Sequence, residues 1–158
     1  MKRILFLIHD LGHGGAEKVL VNLVNNMDPE QFDITVMALF GGGVNEQFLR
    51  RDIRLIHCHG KAMPGNSHLM KLLTPEQLHR LYIKEHYDME VAYLEGPAVR
   101  IISGCPHGDT KLISWVHCTM RSEKEFSGSF RSPAEARNCY RKFHGSVFVS
   151  REVMDAFQ

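Results

Sequence analysis

Apolar residues fall in short unbroken runs, separated by stretches whose apolar positions recur at helical spacing. Ile4-Leu5-Phe6-Leu7-Ile8 follows Lys2-Arg3 and is stopped by His9-Asp10. Such a run predicts a strand buried on both faces, as in parallel sheets. Ile34 to Leu39, Ile53 to Ile56, Glu90 to Leu94, Lys111 to Val116 and Ser146 to Val149 predict further strands. Between the first two, Ala16, Val19, Leu20, Leu23, Val24 and Met27 define one face of a helix, which Asp28-Pro29 ends. Thr74-Pro75-Glu76-Gln77 is a helix start with a capping box, and the helix is expected to run to about Tyr87 with Leu78, Leu81 and Tyr82 inward. Ser132-Pro133-Ala134-Glu135 opens another, to about Phe143. Pro97 to Ser103 predicts a short helix, Asn45 to Arg51 a short amphipathic stretch, and Ser150 caps a last helical segment. Residues 58–68 and 119–131 read as loops. Strands alternating with helices mean βαβ units, hence an α/β fold with helices on both faces of a mostly parallel sheet of six to seven strands. No linker divides residues 1–158, so one domain is expected.

Composition narrows the classes. Hydrophobic residues are 44% and charged residues 23% of 158, as in an ordinary globular domain. Nineteen basic residues against 18 acidic ones give a formal charge of +1. That balance argues against a nucleic-acid partner, which calls for excess positive charge. Cys58, Cys105, Cys118 and Cys139 form no C-x-x-C pair and read as reduced thiols. Five apolar residues at the start are too few for a signal core or a membrane span. The expected location is therefore cytoplasmic.

The sharpest local chemistry is the turn Gly12-His13-Gly14-Gly15 between the first strand and the first helix. Glycines there let backbone approach a ligand, and the helix N-terminus behind them favours a phosphate. A plain tight turn needing positive φ is the alternative. The dinucleotide fingerprint G-x-G-x-x-G fails, because Glu17 stands at the third glycine, and no G-K-[ST] follows. An NAD(P) oxidoreductase would also want an acid at the end of the second strand, which here reads Ala38-Leu39-Phe40-Gly41. A receiver or flavodoxin-like module would want acids clustered at strand ends, and only Asp10 is close.

Gly12-His13-Gly14-Gly15-Ala16-Glu17-Lys18-Val19-Leu20 after an apolar strand resembles the opening of the family 4 retaining glycosyltransferases, which have the GT-B fold. Leu112-Ile113-Ser114-Trp115-Val116-His117 resembles that family's strand ending in a histidine at the interdomain cleft. Val147-Phe148-Val149-Ser150-Arg151-Glu152-Val153 resembles the last strand of its N-terminal domain and the turn that follows. The resemblance implies a Rossmann-like, doubly wound domain forming the acceptor-binding half of an enzyme that moves a sugar from a UDP- or GDP-sugar to a glycan or lipid-linked acceptor. No cofactor is implied; the nucleotide-sugar is a substrate. The family's paired glutamates, spaced E-x7-E in the donor domain, have no counterpart: no two glutamates here are eight positions apart. The expectation is an N-terminal half whose C-terminal donor domain is missing and which is inactive alone. A GT-B epimerase is a neighbouring alternative.

The resemblance implies residue roles. His117 would contact the transferred sugar, and Gly14 and Gly15 would face the donor diphosphate. Glu95, before Gly96-Pro97 at a strand end, and His13 are candidates for the acceptor side; a capping or solvated Glu95 is the alternative. No metal site is expected. His57-Cys58-His59 are adjacent on a strand and point to opposite faces, and no second ligand pair has zinc spacing. Residues 119–131 hold Arg121, Lys124, Arg131, Phe126 and Phe130 against Glu123 and Glu125. They suggest contact with an anionic membrane surface, hence peripheral association with its inner face.

Overall fold

The computed structural model describes residues 1–60, 70–118 and 122–157. Six strands form one all-parallel sheet: β1 (Lys2–Ile8), β2 (Phe32–Phe40), β3 (Arg54–His59), β4 (Met89–Ala92), β5 (Lys111–Val116) and β6 (Gly145–Phe148), in the order β3-β2-β1-β4-β5-β6. The helices are α1 (Gly15–Asn25), α2 (Pro75–Tyr82), α3 (Pro97–Ser103), α4 (Glu123–Ser127), α5 (Pro133–Arg141) and α6 (Arg151–Phe157), with a 3₁₀ turn at Val44–Phe48. This is a doubly wound, Rossmann-like α/β domain. The chain runs outward from β1 to β3, then returns to the other side of β1 for β4. The order reverses between β1 and β4, and ligands bind open α/β sheets in the crevice beyond the carboxyl ends of strands at such a point.

Strand alternation sends β1 into two cores. Ile4, Phe6 and Ile8 join Leu20, Val21 and Val24 of α1 on one face. Leu5 and Leu7 join Leu78 of α2, Ile101 and Ile102 of α3 and Cys139 of α5 on the other. The face of α1 is rotated from the expected one: Val19 is 51% exposed, and Val21 is buried in its place. Thr74 makes the expected box on α2, its Oγ1 accepting from Gln77 N at 3.1 Å while Gln77 Oε1 accepts from Thr74 N at 2.9 Å. Ser132 makes only half of one. Its hydroxyl accepts from Glu135 N at 3.1 Å, but the Glu135 carboxylate turns to Arg131 N and to the buried Arg100 guanidinium. Arg100 also donates to the carbonyls of Met70 and Leu73, tying α3 to the start of α2.

Part of the expected loop 119–131 is helical. Ser122 caps α4 by accepting from Glu125 N, and Phe126 stacks on Tyr140 of α5 with centroids 5.3 Å apart.

Candidate functional site

The first wall of the crevice is the turn between β1 and α1. Asp10 Oδ1 accepts from Gly12 N at 2.9 Å, and Asn45, buried in the 3₁₀ turn, donates its backbone N–H to Leu11 O at 2.8 Å and its amide to Gly12 O. The turn is thus held from both sides. Among the described residues only Gly42 and Gly96 have positive φ, so Gly12, Gly14 and Gly15 are not required by backbone conformation. Gly14 sits at φ −66° and no side chain caps α1. Instead the Glu17 carboxylate folds back against Gly14, into the space a Cβ would occupy. Gly15 faces open space. His13 lies exposed at the tip of the turn.

The second wall is where β4 and β5 end. Gly96, at φ 92° and ψ −132°, adopts a conformation closed to other residues and turns the chain into α3. That turn aims Glu95 across to β5, where its Oε1 accepts from the backbone N–H groups of His117 and, at 2.7 Å, Cys118. Oε1 thereby fixes the backbone that carries His117.

His117 lies one residue beyond β5, its ring 4.7 Å from Tyr93 and near-parallel to Trp115 at 6.3 Å. Burial lowers its pKa below the ordinary 6.5, opposed by the charges of Glu95 and Glu17 and a bond to the Tyr93 backbone. Burial thus favours the neutral imidazole. Three buried side-chain polar atoms among the described residues have no hydrogen-bond partner: His117 Nε2, Tyr93 Oη and Tyr140 Oη. All three sense the carboxylates of this edge. Burial raises the Tyr93 pKa to about 12, with a further push from Glu17; burial also raises Tyr140, with a push from Glu95. Buried polar groups without partners are costly and rare. Tyr93 and His117 adjoin at the strand-order reversal, whereas Tyr140 lies on the other face of the sheet among Phe126, Phe143 and Phe157.

Of the expected residues, the structure brings His117 and Glu95 together and places Gly14 and Gly15 across the sheet edge on α1. Tyr93, Tyr140 and Glu17 were not singled out by sequence. Glu17 was noticed only as the residue that spoils the dinucleotide fingerprint. Tyr93 left a usable signal, since it falls at the carboxyl end of an expected strand beside the reversal; Tyr140 left none.

The other candidates separate. His57 Nε2 pairs with Glu46 at 2.8 Å and His59 Nε2 with Tyr82 Oη at 2.9 Å, while burial pushes the Cys58 thiol up to about 11. Of residues 119–131, 119–121 lie outside the described residues. Phe130 is buried and Phe126 packs on Tyr140, so neither aromatic side chain is presented to a bilayer. No helix among the described residues is long and apolar enough to cross a membrane.

A second cluster was missed by sequence because its members are 11 and 15 positions apart. His79 on α2, Glu90 on β4 and Cys105 after α3 meet on the α2 face of the sheet. His79 Nε2 is 3.0 and 2.9 Å from the two Glu90 carboxylate oxygens, and Cys105 Sγ donates to Glu90 Oε1 at 3.7 Å. Burial works against a charged His79, but its bonds to Cys105 and Glu90 and their charges outweigh burial and raise its pKa to about 9.

No protein-family model matches this chain, and no curated protein matches it in sequence.

Proposed function

We propose that this domain is the acceptor-side half of a retaining glycosyltransferase of GT-B architecture, acting on a UDP- or GDP-sugar held by a second domain across the crevice. The observation that supports it best is the pair of buried, unpartnered polar atoms, Tyr93 Oη and His117 Nε2, beside the point of strand-order reversal. Imidazole nitrogen and phenol hydroxyl are hydrogen-bonding groups suited to sugar hydroxyls. The carboxylates of Glu17 and Glu95 make the same crevice unfriendly to an anion buried deep within it. Glu17 against Gly14 stands where a dinucleotide pyrophosphate would lie, which disfavours the oxidoreductase alternative. The open approach is over Gly15, at the outer rim, where a donor diphosphate held mainly by the second domain would pass.

In this reading the bond from the sugar's anomeric carbon to the diphosphate breaks and one to the acceptor oxygen forms on the same face. The acceptor's proton leaves with the diphosphate. The domain then needs no base of its own. His117 orients a hydroxyl of the transferred sugar, Tyr93 offers a hydroxyl partner deeper in, and Glu95 positions His117. His13, exposed at the rim, is left for the acceptor. A lipid-linked acceptor, presented at the inner face of a membrane, would reach the crevice from that rim.

Amide NMR titration of the chain tests this. Monosaccharides, UDP- and GDP-sugars and NAD⁺ are added separately. Shifts clustered at Gly14, Gly15, Tyr93, Glu95 and His117 with a saccharide, at weaker than micromolar affinity, are expected. Micromolar NAD⁺ binding through the α1 turn would overturn the proposal.

A further inference from the structure

We propose that His79, Glu90 and Cys105 form a zinc site, independent of the crevice and of the function proposed for it. The three come from three elements: α2, β4 and the segment after α3. One donor atom from each lies within 4.8 Å of the others. Around a tetrahedral zinc, nitrogen, oxygen and sulfur ligands stand about 3.3–3.7 Å apart, given bond lengths of about 2.0–2.3 Å. The present separations, 2.9 Å for nitrogen to oxygen and 3.7 Å for sulfur to oxygen, bracket those values, so an ion requires only small side-chain shifts. The donor set of one imidazole, one carboxylate and one thiolate is one that borderline-soft zinc accepts and that harder magnesium or calcium does not.

His79 is 3% exposed and Glu90 is fully buried. Burying a charge is costly unless it is balanced on the spot, and a divalent ion balances the carboxylate and thiolate that ligate it. A cavity of about 320 Å³ reaches the cluster at His79, with Glu76, Arg80, Lys84 and His107 also in its lining.

The full chain, stripped with chelator and dialysed against micromolar zinc, should retain one zinc per chain by elemental analysis and melt higher than the stripped form. Cobalt in place of zinc should give a near-ultraviolet thiolate-to-metal band and the intense visible bands of a tetrahedral ion. Cys105→Ala leaves the His79–Glu90 pair whole, so it should fold, lose the thiolate band and bind zinc at least ten-fold more weakly. Cys58→Ala should behave as the parent chain. Absence of stoichiometric zinc, a cobalt spectrum lacking the thiolate band, or a band surviving Cys105→Ala but lost in Cys58→Ala would each overturn the site and leave the cluster a buried ion pair.

Discussion

Tyr93→Phe should make the free protein more stable and its crevice a poorer binder. The Tyr93 ring is fully buried, packed 5.2 Å from Trp115 and 4.7 Å from His117, and phenylalanine keeps those contacts. Only the hydroxyl goes, and in the free protein that hydroxyl has neither a partner nor access to water. Leaving a buried donor unsatisfied costs about 1–3 kcal/mol, and the substitution removes that cost. In a chain of this length each 1 kcal/mol moves the melting temperature by about 2–4 °C, so a rise of about 2–12 °C is expected. Binding should change in the opposite sense. One hydrogen bond to a ligand hydroxyl in a desolvated pocket, worth about 1–3 kcal/mol, is lost, so affinity falls about 5- to 150-fold. Trp115, the one tryptophan of the chain, reports binding by its fluorescence because it packs on both Tyr93 and His117. Thermal or urea melts give the stability. A variant destabilised by 1 kcal/mol or more would show that the hydroxyl is already bonded in the free protein. A stabilised variant with unchanged saccharide affinity would remove Tyr93 from the site.

His117 should titrate below 6.5, since burial, opposed by Glu95 and Glu17, lowers its pKa. The unfolded chain takes up this proton first, so the stabilising contribution of neutral His117 is complete above 6.5 and is lost as pH falls through the folded value. Stability measured from neutral pH to about pH 5 should fall less steeply in His117→Gln than in the parent, and quenching of Trp115 by the imidazolium should show the same midpoint. Parallel curves for the two proteins would refute the assignment. Glu95→Gln weakens the charge-assisted hold on the His117 and Cys118 amides, so it should lower saccharide affinity with little change in fold; an effect on stability alone would make Glu95 a strand-end cap. Arg100 is 1% exposed and serves two carbonyls and Glu135. Arg100→Met should cost about 3–5 kcal/mol in urea melts, and a loss under about 1 kcal/mol would contradict the network. Gly15→Val meets open space and should leave the melting temperature within a few degrees while obstructing the rim; full binding in that variant would make the turn a plain connection.

Much of the architecture was legible in the amino acids. Unbroken apolar runs can only be satisfied by burial on both faces, and that alone implies a parallel sheet sandwiched by helices. Lys111–Val116 and Pro97–Ser103 fall where the pattern puts them, and the Thr74 box forms as read, because each depends on neighbours in the chain. Where a distant partner competes, local reading loses. Glu135 leaves the Ser132 box for Arg100, 35 residues away. Phe126 finds Tyr140 and turns an expected loop into α4.

The site divides in the same way. The glycine turn and His117 carry signatures that survive in one dimension: small residues between strand and helix, and a polar residue ending an apolar run. Their meaning depends on which strands are neighbours. An apolar run states that a strand is buried but not what lies beside it, so nothing local places β4 against β1 and creates the reversal on which the crevice depends. Tertiary packing alone lays Glu17 over Gly14, turns Glu95 onto the end of β5, and leaves Tyr93 Oη, Tyr140 Oη and His117 Nε2 without partners. It also alone gathers His79, Glu90 and Cys105 from three elements. Burial and desolvation, which set what these side chains can do, are properties of the packed molecule, and no residue carries them by itself.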